Sequence, residues 1–174
     1  MAGSLVKIAH TEVTSSTASV TLTGIDSTYD VYVVTVTGIL PVTDNTFSRL
    51  RVTQSGSPIS SSTYSFAQKE IMSDLAYAYN TSTSNDAYDF TSAIENSVGG
   101  GGNATIWLYN FPVSGHHKFI NSVESHIGGN TTNVRGLNGA GANSDTNVCD
   151  GVNMFMSSGN ISSGKFALYG LKKS

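Results

Sequence analysis

Short runs of residues that alternate between apolar and polar constrain the fold of this chain more than any other feature. In the run Thr17–Thr23, the side chains of Ala18, Val20 and Leu22 fall on one side and hydroxyl side chains fall on the other. A period of two residues is that of a β-strand with one buried face. A chain built from such runs is expected to form sheets rather than helices.

The same alternation recurs along most of the chain. In Val31–Val36 one face carries Tyr32, Val34 and Val36, and the other face is also largely apolar, which indicates a central strand. A later run places Leu50 and Val52 inward and arginines outward. Roughly eight to ten short strands follow from these patterns. They predict an all-β fold, namely a single antiparallel β-sandwich domain over residues 1–174 with a jelly-roll-like arrangement.

Three segments need separate interpretation. Residues 68–75 are compatible with a short helix, and residues 75–79 with a strand. The segment GLNGAGANSD, residues 136–145, is expected to be a loop because of its glycines and small polar residues. The last two strands, Val152–Ser157 and Lys165–Leu171, are expected to pair as a hairpin that turns its apolar side chains into the core.

The composition narrows the classes of function. Charged residues make up 12% of the 174 residues, against about 25% in a typical globular protein. The net charge is −3 and the nine Lys and Arg are scattered, so we expect no nucleic-acid partner. No apolar run is long enough for membrane insertion. The N-terminus lacks a signal-peptide pattern and the single cysteine excludes an internal disulfide, so synthesis in a cytosol is expected.

Three stretches resemble a group of small structural proteins of tailed bacteriophages. They are STYDVY at Ser27–Tyr32, PVTDN followed by LRVT within Pro41–Thr53, and the closing SSGNISSGKFALYGLKK at Ser157–Lys173. The resemblance implies a β-sandwich on the virion exterior, often in threefold assemblies such as tail fibres or capsid decoration. It also implies that the cytosol of synthesis is the host bacterial cytoplasm. It transfers no catalytic residue.

The expected function is therefore that of a non-enzymatic structural protein on the exterior of a tailed-phage virion. It would serve either as a tail fibre or receptor-binding adhesin, or as a capsid-decorating cement protein. The alternative is a free carbohydrate-binding module, and a host-polysaccharide hydrolase is the third interpretation. The expected partners are other virion proteins of the capsid or tail, a host surface glycan, and further copies of the chain.

The expectation of self-association comes from two strands that are apolar on both faces. Val31–Val36 and Ala104–Phe111 would each have a second face to bury, whereas a solitary sandwich normally keeps one face of each sheet polar. Closed symmetric oligomers are the common solution. Because the resemblance implies threefold symmetry, a homotrimer is expected.

Candidate site residues are few. Tyr77 and Tyr79 lie in a polar region, where an aromatic ring could stack on a sugar, and His116 and His117 are the other candidates for ligand binding. Zinc needs three or four convergent ligands, and adjacent histidines in a strand would point to opposite faces, so no metal site is expected. No nucleophile with a base and no paired carboxylates form a motif. We therefore expect no cofactor and no catalytic residues.

Overall fold

The structure is a computed structural model that describes residues 4–129 and 133–172, and over these residues the chain forms thirteen β-strands and no helix. The strands are β1 (Leu5–Val13), β2 (Ser19–Thr23), β3 (Val31–Pro41), β4 (Ser48–Gln54), β5 (Ser57–Pro58), β6 (Tyr64–Met72), β7 (Tyr77–Asn85), β8 (Tyr88–Asp89), β9 (Gly102–Tyr109), β10 (Lys118–Ile127), β11 (Val134–Asn143), β12 (Gly151–Met156) and β13 (Ile161–Leu171). Two of the thirteen have only two residues each, which partly explains why the number exceeds the eight to ten expected.

The strands form two antiparallel sheets packed as a sandwich. The larger sheet has eight strands in the order β1-β13-β3-β9-β10-β11-β6-β7, and the smaller has the order β2-β12-β4-β5, with β8 paired to β4. The predicted all-β antiparallel sandwich is thus confirmed, and the jelly-roll arrangement stays a prediction. β3 is an interior strand of the larger sheet, as its two apolar faces indicate.

The core lies between the two sheets, where the alternating apolar side chains meet. In β2, Val20 and Leu22 are buried while their neighbours in the strand are exposed. In β3, Tyr32, Val34 and Val36 point into the same core. The apolar–polar alternation therefore predicted the inward faces of β2 and β3 correctly, because burial of one face produces this pattern.

The outward side of β4 carries two arginines that pair with acidic residues. Arg49 Nε lies 2.9 Å from Asp89 Oδ1, and Arg51 forms an ion pair with Asp86. The Arg51 guanidinium also lies 4.4 Å from the centre of the Phe155 ring. Burial raises the pKa of Asp89, and the positive charge of Arg49 opposes this rise.

The predicted C-terminal hairpin is wrong in its pairing, although its side chains do point inward. β12 pairs with β2 and β4 in the smaller sheet, whereas β13 pairs with β1 and β3 in the larger sheet. The connection between them crosses from one sheet to the other, with Gly159 at a φ of 71°. Met154 and Phe166 are buried in the shared core from opposite sides. Alternation identifies the buried face of a strand but does not identify its neighbour.

The helix considered for residues 68–75 is also wrong. This region belongs to the hairpin of β6 and β7, whose turn holds Leu75 at a φ of 69°. Gln68 and Glu70 continue the buried face of β6, although they are polar. Their polarity hid the alternation at the sequence level, because a buried polar side chain breaks the apolar pattern.

The glycine-rich segment expected to be a loop is largely strand β11. It pairs with β10 on one side and β6 on the other. A Cβ on Gly139 would lie 2.6 Å from the backbone oxygen of Ala67, and a Cβ on Gly141 would lie 2.7 Å from the Tyr88 ring. Glycine is therefore present because neighbouring groups approach closely, and not because the backbone turns.

This close approach gives a direct prediction. Gly139→Ala is expected to destabilise the protein by about 1 to 3 kcal/mol, because the new methyl group must displace the β6 backbone. Gly136→Ala on the same strand is the matched control, since its Cβ would meet only the Glu124 oxygen at 3.6 Å. Urea unfolding measures both variants. Equal stabilities would contradict the close packing of β11 on β6.

Candidate functional site

The outer face of the eight-stranded sheet, defined as the side away from the smaller sheet, carries little charge. Of the described residues on six adjacent strands, β3, β9, β10, β11, β6 and β7, Lys69 is the one charged side chain on this side. Four ionisable side chains, Lys7, His10, Glu12 and Lys165, lie at the other end, on β1 and β13. A solvated sheet face is normally polar, and the polar side chains on these six strands are mostly uncharged Ser, Thr and Asn.

Large apolar side chains are exposed on the same face. The five that we call the apolar patch are between 47% and 68% exposed, and they are Ile71, Tyr77, Tyr79, Phe119 and Val123. Ala67 and Ala140 form a cross-strand pair on the same face, and both have small side chains. In the strand register, Asn138 and Lys69 lie in one row between Val123 and Tyr79, so the patch surrounds one amide and one ammonium group. Such exposed apolar surfaces mark interaction sites.

Two of the predicted ligand-binding residues, Tyr77 and Tyr79, lie in this patch on the edge strand β7. Their ring centres are 5.9 Å apart with the rings nearly perpendicular, and the Lys69 ammonium lies 5.4 Å from the Tyr77 ring. Both rings are open to a partner. Their role in binding stays a prediction.

The other two predicted residues, His116 and His117, are exposed in the connection between β9 and β10. The Nδ1 atom of His116 lies 3.2 Å from the carbonyl oxygen of Ser114. Since β11 and β6 separate β10 from β7, the structure does not join these histidines and the two tyrosines into one site. Across the described parts of the chain, no group of three His, Cys, Asp or Glu residues is placed to hold a metal ion.

A groove that we call the polar groove runs across the outer face from β1 and β13 to β10. Two adjoining depressions of about 260 and 340 Å³ share Thr35 and Thr37 as their common floor. The smaller depression is also lined by His10, Lys165 and Tyr169. Hydroxyl groups beside one aromatic ring are suited to contacts with a sugar.

A second candidate site lies inside the sandwich, where the sequence indicated none. Five polar side chains contact one another there, and we call them the buried polar cluster: Glu70, Ser92, Glu124, His126 and Arg135. His126 Nδ1 lies 2.8 Å from Glu124 Oε2, and His126 Nε2 lies 3.1 Å from Ser92 Oγ. Ser92 also donates to Glu70, whose Oε1 lies 3.4 Å from Arg135 Nη1.

Rigid backbone holds the members of this cluster. Glu124 and His126 are alternate residues on the inward face of β10, so both side chains point the same way. The segment that carries Ser92 is fixed on both sides, since Phe90 N donates to Ser48 O at 3.0 Å and Ile94 N donates to Thr46 O at 2.9 Å. The geometry therefore does not depend on a mobile loop.

Burial controls the electrostatics of the cluster. Ser92, Glu124 and His126 are each 7% exposed or less. Burial raises the pKa of Glu124, and the hydrogen bond to His126 opposes this rise.

Cys149 lies outside this cluster. Burial raises the pKa of its thiol to about 11, which keeps the thiol protonated at neutral pH.

The cluster opens to a cavity of about 240 Å³ at the edge of the sandwich. Its lining includes Ser92, Glu70 and Arg135 together with Phe47 and Asn80. A hydroxyl, a carboxylate and a guanidinium thus converge on one concave space. Such convergence is typical of a site that binds or transforms a small molecule.

Sequence reasoning missed this cluster because its parts are remote along the chain. Ser92 and His126 are 34 positions apart, and no short motif joins them. One signal was present: Glu124 and His126 share the phase of Ile120, which predicts two ionisable side chains on a buried face. A buried ionisable pair is a reason to look for a site.

The chain matches no protein-family model, and no curated protein is significantly similar to it. In the described residues no helix is long and apolar enough to cross a membrane.

Proposed function

We propose that this chain is a structural protein on the exterior of a tailed-phage virion, and that it self-associates as a homotrimer through the apolar patch. The observation that carries the proposal is the outer face of the larger sheet, where the described residues of six strands include one charged side chain. An uncharged face costs less free energy to desolvate than a charged one, so a second copy of the chain can bury it.

The arrangement of the patch supports an interface between rigid surfaces. Tyr77 and Tyr79 supply flat area at low cost in conformational entropy, and interfaces are enriched in such residues. Phe119 and Val123 both lie on the interior strand β10, so the backbone beneath them is fixed on both sides. A preformed surface loses little freedom on association.

The resemblance to phage structural proteins supports the virion role and the threefold symmetry. Two placements fit it equally, one on a tail fibre that contacts the host and one on the capsid as a decorating cement protein. Antibody or gold label on intact virions separates them, because label would collect on tail or head. Label on neither would contradict the proposal for the virion exterior.

A carbohydrate-binding module is the second candidate, and the polar groove favours it. Tyr169 and His10 stand beside a floor of threonine hydroxyls, which can accept and donate hydrogen bonds to a sugar. Binding of the purified protein to a glycan array, lost in Tyr169→Ala, would favour this role. The larger depression includes Val123 of the apolar patch. The smaller depression shares no lining residue with the patch, so a sugar bound there is compatible with the proposed interface.

The proposed interface predicts that charge placed in the apolar patch breaks the assembly. Ile71→Lys combined with Val123→Lys is expected to convert the oligomer to monomer, because each ammonium would be desolvated in the interface. Val98→Lys is the matched control, since Val98 is fully exposed on a loop away from the patch. Sedimentation velocity distinguishes the outcomes. An oligomer that survives the double change while the fold is intact would place the interface elsewhere.

A further inference from the structure

We propose that Ser92 and His126, with Glu124 as a positioning residue, form a catalytic centre that hydrolyses small acyl esters. This inference goes beyond the structural role and does not depend on it. It rests on a chain of contacts in the buried polar cluster and on the cavity in front of it. It also departs from the expectation that the chain has no catalytic residues.

The contacts have the order of a serine nucleophile, a general base and an acid that orients the base. Glu124 accepts the hydrogen on His126 Nδ1 at 2.8 Å. The other ring nitrogen, Nε2, lies 3.1 Å from Ser92 Oγ, and it serves as the base once the serine hydroxyl turns from Glu70 towards it. Nucleophile, base and orienting carboxylate recur in this relation on unrelated folds, where geometry rather than sequence position identifies them.

Glu70 adds a second acceptor beside the serine. Ser92 Oγ is within hydrogen-bonding reach of both Glu70 and His126, so the hydroxyl proton can turn from one to the other without movement of the oxygen. Glu70 also pairs with Arg135, which places a guanidinium at the cavity. The buried Nε of Arg135 has no hydrogen-bond partner among the described residues. This atom lies beside Gly128, and the guanidinium contributes positive charge to the lining of the cavity.

The reaction balances with water as the one co-reactant. Ser92 Oγ attacks the acyl carbonyl carbon while its proton passes to His126 Nε2. The ester C–O bond then breaks, and His126 returns that proton to the departing alkoxide. Water attacks the acyl-serine, gives a proton to His126 and releases the carboxylic acid, and the proton goes back to Ser92 Oγ.

The cavity limits the substrate. Its volume of about 240 Å³ is below that of pockets for drug-sized ligands, which start at about 300 Å³. An acyl group of a few carbons fits such a space, with the alcohol part extending to solvent. An acetate-type ester is therefore the substrate class.

Two probes test the centre on the full chain: a fluorophosphonate, which labels activated serines, and p-nitrophenyl acetate. We expect the fluorophosphonate adduct on the peptide that contains Ser92. Turnover of the ester should be lost in Ser92→Ala and reduced on the order of 100-fold in His126→Asn. Ser97→Ala is the matched control, because Ser97 also donates to a glutamate, at 2.7 Å, but is exposed and remote from the buried polar cluster.

Glu124→Gln separates positioning from a purely structural role. It is expected to lower turnover and to shift the pH profile, because an amide no longer fixes the His126 tautomer in the same way. The absence of an adduct on Ser92 in the parent protein overturns the proposal, and this result does not depend on whether a variant folds. An adduct without ester turnover overturns the hydrolytic step. The assembly experiment is unaffected by either result.

Discussion

Deletion of residues 161–174 is expected to leave the chain unable to fold. The deletion removes β13, which lies between β1 and β3 in the larger sheet and pairs with both. Ile161, Phe166 and Leu168 would leave the core. Loss of a buried aromatic side chain alone costs about 3 to 5 kcal/mol. The total is comparable to the whole stability of a domain, about 5 to 15 kcal/mol.

The expected readout is insoluble protein, or soluble protein without a cooperative thermal transition. A chain that ends at Leu171 is the matched control, because it keeps all of β13 and should unfold like the parent. A soluble truncation at residue 160 with a cooperative transition would show that β13 is an appendage to the core.

The second large effect is expected at the ion pair between β4 and β8. Arg49→Met should destabilise the protein by about 3 kcal/mol at pH 7, because it leaves the Asp89 carboxylate without its cation. The Asp89 side chain is 8% exposed, so water cannot replace the lost partner. Urea unfolding measures the loss.

The stability of the Arg49→Met variant is expected to depend on pH. Burial already raises the pKa of Asp89, and removal of Arg49 removes a charge that lowers it. The folded variant therefore holds a proton that the unfolded chain releases, so its stability falls as pH rises above about 4. The difference from the parent should be smaller at pH 4 than at pH 7. An equal loss of stability at both pH values would contradict the account.

Arg49→Met combined with Asp89→Asn should recover most of the lost stability.

The sequence predicted the strands best where one face is buried and apolar. Alternation in β2 and β3 gave both the element and its inward residues, since burial of one face is what selects such a pattern. In β6 the same alternation continues through Gln68 and Glu70. Polar side chains in buried positions made a helix look possible there.

Pairing between strands could not be predicted from the same pattern. The inward phase of β12 is the same whether it pairs with β13 in one sheet or faces it from the other sheet. Contacts between strands join residues that are distant in sequence, and alternation carries no information about them. The glycines of β11 led to the wrong prediction of a loop for a related reason. They are present because groups that are distant in sequence approach the strand closely.

The candidate sites also differ in whether the sequence alone could predict them. Tyr77 and Tyr79 could be singled out from sequence because aromatic rings in a polar segment are a local feature. The contact of Ser92 with His126 is a product of the fold, and no local pattern predicts it. The nearly uncharged outer face likewise appears only when six strands are placed side by side.

The measurement that tests the proposed assembly most directly is the molar mass of the purified full chain by light scattering at micromolar concentration. One chain is 18.2 kDa, so the account predicts a mass of about 55 kDa for the trimer. A stable species of 18.2 kDa, the mass of one chain, would contradict intrinsic self-association through the apolar patch.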